Sequence, residues 1–556
     1  MHLYRREFMN KQKKSVLQLT AFILSMSILI SACSNSDAGK GSQAASDPGK
    51  VTPGGELVWA LAGTVSNDSL DAHKAGFAPT TRVMRSLYDS LVVELPDHSI
   101  QPWLAESWQI SEDKKSYTFK LRKDVKFHDG TPFNAEAVKF NFDRIKDPAT
   151  KASISINEIG PYVSTDVIDE FTAKINFATP YAPFLVNAAK VDLGFVSPAA
   201  VKKFGDKYPQ NPVGTGPFKL SVLTPSSQVE LVKNPDYNWG PANAKHQGPA
   251  YLDKITIKYV EEESTRVSVL QSKQAQAADI IPPQNLVALK ADKNFNVLET
   301  ELIQANHQLY FNQTREPWNN LKVREAVRSA LDLDSAIKTI YLGTSKQAWS
   351  PLSPQTFGYD ASLEKSWKYD LKSANETLES LGWIKGVDGY RVKDGKKLII
   401  EFLDTQGNRE KRLDLLSILT QQLKLAGIEL KLISLPSGTY SERSLKNDYD
   451  LLAGSQFSGD PNVLRQLYST KGPSGKNNST RTNDPQLEQL LEDGLLENDT
   501  SKRIDIYKKV QQHIIKNVYS IPTYVFQYSF ATVKEVQGIT FDSPAWPVFY
   551  DAWIQK

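Results

Sequence analysis

The side chains that could do chemistry include a single thiol. Cys33 is the only cysteine in 556 residues, so one chain cannot form an internal disulfide. A thiol can act as a nucleophile, as a metal ligand or as an acceptor for a lipid chain. Cys33 follows an uncharged apolar run, Val16–Ile30, and two small residues, Ser31 and Ala32. This position favours lipid attachment over catalysis or metal binding.

The other reactive side chains form no recognisable catalytic or metal-binding motif. The sequence contains no HExxH, GxSxG or GxxxxGK[ST] pattern. No two of its histidines have the helical spacing of metal ligands; they are His2, His73, His98, His128, His246, His307 and His513. We therefore predict no enzyme activity, no cofactor and no protein-held metal. An exported hydrolase remains an alternative, because paired catalytic carboxylates can meet in space without a sequence motif.

The segment before Cys33 has the order of a secretory signal. Five basic residues precede the apolar run, namely Arg5, Arg6, Lys11, Lys13 and Lys14. Basic, apolar and small residues in that order are typical of export signals. The apolar run is short for a permanent membrane helix. Translation could begin at Met1 or at Met9.

The residues Ile30-Ser31-Ala32-Cys33 resemble the lipobox of bacterial lipoproteins, in which the cysteine is acylated and becomes the mature N-terminus. The resemblance implies a signal peptide at 1–32 and a membrane-lipid anchor on Cys33. It also implies an exported protein, lipid-anchored on the outer face of the bacterial cell membrane (the periplasmic side if an outer membrane exists). Residues 33–54, rich in Ser, Gly, Asp and Ala, are predicted to be a flexible tether.

The net charge argues against nucleic acid as a partner. Residues 1–32 carry five basic groups and one acid. Taking that net of +4 from the +3 of the whole chain leaves −1 for the exported part. A near-neutral body lacks the basic surface that nucleic acid or an anionic membrane requires.

Strand and helix patterns alternate along the remainder of the chain. "SYTFKLRKDVKF" alternates apolar and polar residues as a strand does, and "NAEAVKFNFDRI" has helical spacing with Asn134 as its predicted N-cap. "LKVREAVRSALDLDSAIKTIY" predicts one long helix ended by Gly343, and "LDLLSILTQQLKLAG" predicts a helix ended by Gly427. "SKRIDIYKKVQQHIIKN" predicts a third helix. The alternation indicates an α/β protein with mixed sheets.

The run from Leu104 to Ile145, "LAESWQISEDKKSYTFKLRKDVKFHDGTPFNAEAVKFNFDRI", resembles the solute-binding proteins of peptide/nickel ABC transporters, family 5. The likeness continues in order through "PVGTGPFKL", "NPDYNWG", "YLDKITIKYVEEESTR", "LKVREAVRSALD", "GDPNVLRQLYS" and "FYDAWI". It covers the chain from Glu56 to the C-terminus.

This resemblance implies a two-lobed fold of the periplasmic-binding-protein type II class, α/β with mixed sheets. Lobe I would comprise 55–94, 211–304 and 521–556; an inserted domain would comprise 95–210; and lobe II would comprise 305–520. The lobes would close on a short peptide or peptide-like solute and deliver it to ABC permease subunits. We expect a monomer. The alternative within the family is a receptor for nickel or for an opine-like metal chelate.

The resemblance also indicates where a ligand would bind. Three segments are favoured, "LAGTVSN", "DTQGNREKR" and "AGSQFSGDPNVLRQ", and two aromatic residues flank them. The predicted ligand-binding residues are Gly63, Thr64, Trp349, Arg409, Arg412, Phe457, Asp460 and Tyr524. Of these, Arg409 or Arg412 could bind a carboxylate through a bidentate guanidinium.

The sequence lacks residues that the peptide carriers and the nickel carriers of the family use to bind their ligands. Peptide carriers place an Asp in the third segment for the peptide α-amine, where this chain has Phe457. Asp460 belongs to an Asp-Pro pair and is expected to point into its own turn. We therefore expect a neutral or anionic recognised end. Nickel carriers offer arginine and tryptophan near "KDPATKAS" and "AAKVDLG", where this chain has Lys151, Lys190 and Asp192.

Overall fold

A computed structural model describes residues 51–65, 67, 69–405, 408–471 and 478–556. Cys33, the signal peptide and most of the predicted tether lie outside the described residues. The described chain alternates strands with helices. The α-helices are Ala78–Met84, Ala135–Lys146, Ile154–Glu158, Phe184–Asn187, Pro198–Phe204, Glu263–Gln271, Pro283–Ala291, Leu321–Ser329, Leu333–Tyr341, Leu371–Ser380, Arg412–Leu425, Ser437–Leu445, Val463–Tyr468, Pro485–Leu496 and Thr500–Lys516.

A seven-stranded sheet gathers segments that are distant in sequence. Its strands, in spatial order, are Phe295–Glu301, Gln527–Val533, Ala277–Asp279, Glu56–Leu61, Lys254–Tyr259, Gln228–Lys233 and Phe218–Thr224. Strand Glu56–Leu61 is parallel to both of its neighbours. Strand Gln527–Val533 is antiparallel to both of its neighbours. The sheet is therefore mixed, as predicted.

A four-stranded antiparallel sheet packs against a capped helix. Its strands, in spatial order, are Ala105–Ile110, Ser116–Leu121, Thr172–Phe177 and Tyr162–Asp169. In Ser116–Leu121, Tyr117, Phe119 and Leu121 are buried, which matches the alternation in the sequence. The Asn134 side chain accepts a hydrogen bond from Ala137 N and caps the helix as predicted.

A five-stranded sheet organises the second half of the chain. In spatial order its strands are Glu429–Leu435, Ile399–Thr405, Leu451–Phe457, Gln304–Phe311 and Ser520–Pro522. Short two- and three-residue strands complete the structure: Val92–Glu94 with Ile100–Pro102, Lys346–Gln347 with Tyr524–Val525, Ile384–Lys385 with Arg391–Lys393 and Lys396–Lys397, Val536–Gln537 with Trp553–Ile554, and Thr540–Phe541 with Pro547–Val548.

One helix prediction was wrong in its extent. The single long helix predicted to end at Gly343 is two helices, Leu321–Ser329 and Leu333–Tyr341. Asp332 interrupts them because its side chain accepts a hydrogen bond from Ser335 N and starts the second helix. Gly427, with φ of 78°, follows Arg412–Leu425 as predicted.

The buried apolar side chains form separate cores. One core extends through both the seven-stranded and the four-stranded sheet, from Leu57 to Leu302 and again from Tyr528 to Ala552, and Leu495 of the second half joins it. The largest core of the second half lies between Leu309 and Tyr524. We refer to the two regions as the first and the second lobe.

The chain crosses between the lobes at two adjacent places. One crossing joins strand Phe295–Glu301 to Gln304–Phe311, and the other precedes Gln527–Val533. Leu302 N donates to Phe526 O over 3.3 Å, so the two crossings lie side by side. The Phe526 side chain packs against both cores. Two short adjacent crossings are the arrangement of a hinge.

Candidate ligand-binding cleft

A cavity of about 730 Å³ lies between the two lobes. Small-molecule sites are typically concave and enclose about 300–1,000 Å³. The first lobe contributes Gly76, Phe77, Ala78, Thr81, Ser153, Ile154, Asn157, Glu158, Lys190, Asp192, Pro544 and Trp546, and the second contributes Tyr310, Tyr440, Ser441, Ser444, Leu445, residues 453–459, Gln466, Leu467 and Ser479.

Aromatic side chains from both lobes meet at one end of the cleft. The ring centroids of Phe457 and Trp546 lie 4.8 Å apart with an interplanar angle of 67°. Phe457 belongs to a strand of the second lobe, and Trp546 belongs to the core of the first. This contact joins the second-lobe wall of the cleft to the core of the first lobe.

Charged residues line the first-lobe wall. Lys190 Nζ lies 3.0 Å from both carboxylate oxygens of Glu158, and both side chains are buried. Asp192 lies beside them, 8 % exposed, and its Oδ1 has no hydrogen-bond partner among the described residues. Burial, helped by the charge of Glu158, raises the pKa of Asp192 to about 7, although Lys190 and Arg85 oppose the shift.

The loop that carries Lys190 and Asp192 is held in place by its backbone. Arg85 Nη2 donates to Ala189 O over 2.8 Å, and Ser90 Oγ donates to Lys190 O over 3.1 Å. At the other end of the loop, Gly194 O lies 3.1 Å from His73 Nε2. The carboxylate of Asp192 is therefore presented from a rigid frame rather than from a free loop.

The second-lobe wall offers polar backbone groups. Strand Leu451–Phe457 pairs with Gln304–Phe311 along one edge. Among the described strands, its opposite edge pairs only at Leu451, with Phe402. Residues 453–457 therefore present an unpaired strand edge to the cleft. Such an edge can accept an extended peptide as an additional strand.

Comparison with known proteins identifies the family. The family model "Bacterial extracellular solute-binding proteins, family 5 Middle" matches residues 99–478. The chain belongs to this family. The match confirms the prediction of a solute-binding protein rather than an enzyme, and gives no support to the hydrolase alternative.

Three relatives illustrate the range of the family. The glutathione-binding protein GsiB of Escherichia coli (strain K12) is 29% identical over 479 residues, which is 84% of this chain and 89% of GsiB. The structure of DppA from Helicobacter pylori with peptide STSA has a TM-score of 0.76 and 26% identity, covering 91% of this chain and 99% of DppA. NikA from Brucella suis with Fe(III)-EDTA has a TM-score of 0.80 and 25% identity, covering 90% of this chain and 100% of NikA.

These likenesses confirm the predicted type II periplasmic-binding fold of this solute-binding protein. Within the part of the chain that the structure describes, no helix is long and apolar enough to cross a membrane. Over the same residues, no three His, Cys, Asp or Glu side chains form a group that could hold a metal ion.

The structure places two of the predicted site residues at the cleft. Phe457 lines it directly. Arg412 lines a small adjoining cavity and reaches the cleft through Ser455, whose Oγ accepts from Arg412 Nη2 over 3.0 Å. The Arg412 guanidinium is also bound to Glu410 Oε2 at 2.8 Å and to the Tyr524 hydroxyl at 3.2 Å. Arg412 is therefore already paired with a carboxylate.

The other predicted residues contact protein groups. Tyr524 is fully buried, and its hydroxyl donates to Glu410 Oε2 over 2.8 Å. Asp460 is 1 % exposed and accepts two hydrogen bonds from Arg503, each 2.6 Å long. Trp349 packs against Trp367, with ring centroids 4.8 Å apart.

Gly63 and Thr64 form part of a loop next to helix Ala78–Met84. Gly63 has a φ of 107°, and a Cβ added there would lie 2.8 Å from Pro79 Cγ. Glycine is therefore required both by the backbone conformation and by this close approach. Thr64 is partly exposed. The side chain of Arg409 lies outside what the structure describes.

Sequence reasoning missed most of the first-lobe wall. Phe77, Ile154, Glu158 and Trp546 come from three separate segments that meet only in the folded protein. Lys190 and Asp192 had a sequence signal, because "AAKVDLG" resembles a ligand-binding region of nickel carriers. That signal could not show that Asp192 Oδ1 would be buried without a hydrogen-bond partner among the described residues.

Proposed function

We propose that this protein is the substrate-binding component of an ABC importer and captures a short peptide or peptide-like solute by closing its two lobes. The unpaired strand edge at 453–457, facing a cleft of about 730 Å³, is the observation that supports a peptide-like ligand most directly. The relatives named for glutathione and crystallised with peptide STSA support the same ligand class.

Lobe closure follows from the hinge and from the contacts between lobes. Lys411 Nζ of the second lobe lies 2.6 Å from Glu263 Oε2 of the first, and Ala182 N donates to Leu495 O over 3.2 Å. These contacts favour the closed state weakly, because Lys411 and Glu263 are partly exposed to solvent. A ligand that touches both walls would add its own binding energy to closure.

The metal-chelate alternative is supported by the likeness to NikA with bound Fe(III)-EDTA. Since no three-residue metal group is present in the described part of the chain, the donors for the metal would come from the chelator. In that case, the protein would recognise the chelator's polar groups and shape.

The full-length protein in mild detergent should retain peptides from an enzymatic digest of casein, which mass spectrometry would identify after release. Small-angle scattering should show a smaller radius of gyration when peptides are bound. Retention of metal–EDTA complexes instead of peptides would favour the alternative. Retention of neither would contradict the proposed function.

We further propose that residues 1–32 are a signal peptide, that lipid on Cys33 anchors the protein outside the cell, and that 33–54 tethers it. The proposed boundaries are 55–94, 211–304 and 521–556 for lobe I, 95–210 for the inserted domain and 305–520 for lobe II. In the structure, residues 521–525 pair and pack with the second lobe, so the second crossing lies a few residues later than this boundary. A monomer on such a tether could reach a membrane permease.

Changing Cys33 to alanine should release the protein from the membrane without changing its fold. The anchor depends on acyl chains, each buried methylene of which contributes about 0.8 kcal/mol. Fractionation of cells followed by detection of the protein would measure this, with Ser31→Ala as a matched control. A Cys33→Ala protein that stays in the membrane fraction would contradict the lipid anchor.

A further inference from the structure

Asp192 is the only charged group on the first-lobe wall, within the described residues, whose charge is not matched. The charged groups packed around it are Glu158 and Lys190, which bind each other, and Arg85 and Asp542, which also bind each other, at 3.2 Å. Asp192 Oδ1 is buried and accepts no hydrogen bond from a described residue. When Asp192 is ionised, the wall therefore carries one excess negative charge.

An unmatched buried carboxylate is costly, because burial removes hydration that no partner replaces. Arg85 and Ser90 bind the backbone carbonyls of Ala189 and Lys190, so the segment that carries Asp192 is held in place at the cleft wall. A carboxylate fixed in this way at the wall of a binding cleft is suited to receive a cation from the ligand.

We propose that Asp192 receives a primary ammonium group of the solute. This inference rests on the proposed function of the cleft and adds the charge of the ligand and the residue that recognises it. The approach to Asp192 is narrow, since the residue is only 8 % exposed. A compact ammonium suits such an approach better than a guanidinium, which is wide and binds carboxylates through two parallel hydrogen bonds.

This location replaces the expectation of a neutral or anionic recognised end, which rested on Phe457 alone. Peptide carriers that this sequence resembles place the acid for the ligand amine near position 457, where Phe457 lies against Trp546 instead. Asp192 supplies an acid from the opposite wall. The ammonium end of the solute would thus contact the first lobe, and the strand edge at 453–457 would bind the remainder of the solute.

The test compares two ligand pools on full-length protein in detergent. One pool is an enzymatic casein digest, and the other is the same digest with its amines acetylated. The wild-type protein should retain peptides from the untreated pool roughly ten- to a hundredfold better, the equivalent of one charge-assisted hydrogen bond. Asp192→Asn should abolish the preference, Asp192→Glu should keep part of it, and the exposed-site control Asp206→Asn should not change it.

The pH dependence supplies a second readout. Wild-type retention should weaken between pH 7 and pH 5, where the α-amino groups of the peptides stay charged while Asp192 becomes protonated and can no longer pair with an ammonium, whereas retention by Asp192→Asn should not follow this trend. His98 also titrates, since its hydrogen bond to Glu94 raises the pKa of its imidazole. The wild type and Asp192→Asn both contain His98, so a difference between their pH profiles is due to Asp192 and not to His98.

Each outcome is decisive. Equal retention of both pools, or an unchanged preference in Asp192→Asn, would overturn the ammonium site and leave the proposed function intact. Selective retention of acetylated peptides that carry arginine would overturn the choice of ammonium over guanidinium. If neither pool is retained, the proposed function fails and this inference fails with it.

Discussion

Replacing Arg503 with methionine is expected to lower the free energy of unfolding by about 3–5 kcal/mol, the usual cost of breaking a buried ion pair. Arg503 and Asp460 are 7 % and 2 % exposed and share two hydrogen bonds of 2.6 Å. Arg503 Nε also donates to Gly494 O over 2.9 Å. The substitution would leave the Asp460 carboxylate buried without its partner. Urea unfolding followed by tryptophan fluorescence would measure the change.

Arg465→Met is the matched control. Its partner Glu492 is 27 % exposed, so the expected loss is below about 1 kcal/mol. The double variant Asp460→Leu with Arg503→Met should recover part of the lost stability, because it leaves no buried charge. Equal losses for Arg503→Met and Arg465→Met would show that the buried pair contributes no more than a surface pair.

This expectation affects how binding data on Asp460 should be interpreted. Asp460 was a candidate ligand residue, yet its carboxylate is occupied by Arg503. Loss of binding in Asp460→Ala would therefore accompany loss of stability. An unfolding measurement on the same variant is needed before that loss is assigned to a ligand contact.

Asp192→Asn is expected to stabilise the protein at pH 8 and to leave its stability unchanged below pH 4. Burial raises the pKa of Asp192 from 3.8 to about 7, so the ionised form is disfavoured in the folded state. The resulting cost is absent below the unfolded pKa, grows as pH rises, and is complete above pH 7. Each pKa unit corresponds to about 1.4 kcal/mol. The amide of the new asparagine would itself be buried without a full set of hydrogen bonds, which offsets part of the gain. We therefore expect Asp192→Asn to raise the free energy of unfolding at pH 8 by roughly 2–4 kcal/mol.

Unfolding curves at pH 4, 6 and 8 for the wild type and Asp192→Asn would measure this difference. Asp206→Asn, at an exposed position, should leave stability unchanged at each pH. A variant that is less stable than the wild type at pH 8 would mean that the ionised carboxylate is stabilised in the folded state. A gain in stability together with a loss of ligand binding is the pattern expected of a functional residue that costs stability.

Local sequence signals predicted much of the fold. The alternation in Ser116–Leu121 and the N-cap at Asn134 depend on neighbouring residues, and both agree with the structure. The break at Asp332 was missed because the apolar spacing continues across it, while a single side-chain hydrogen bond starts a new helix. The family likeness, which depends on order along the chain, predicted the fold class.

The site was harder to predict because its walls are assembled from distant segments. Arg412 and Asp460 have suitable side chains, but Glu410 and Arg503 satisfy them. Conversely, Asp192 is distinguished by a buried oxygen, Oδ1, that has no hydrogen-bond partner in the part of the chain that the structure describes. Whether a charged residue is paired depends on tertiary contacts, and a single sequence does not contain that information.

The position of strand Gln527–Val533 has a consequence for the biosynthesis of this extracellular protein. It lies between Phe295–Glu301 and Ala277–Asp279, so the sheet of the first lobe stays divided until the strands and helices of the second lobe, from Gln304 to Pro522, have been made. Pairing across so long an intervening segment is slow because the entropy of closing the loop must be overcome first. The first lobe therefore cannot complete its fold before the second lobe has been synthesised.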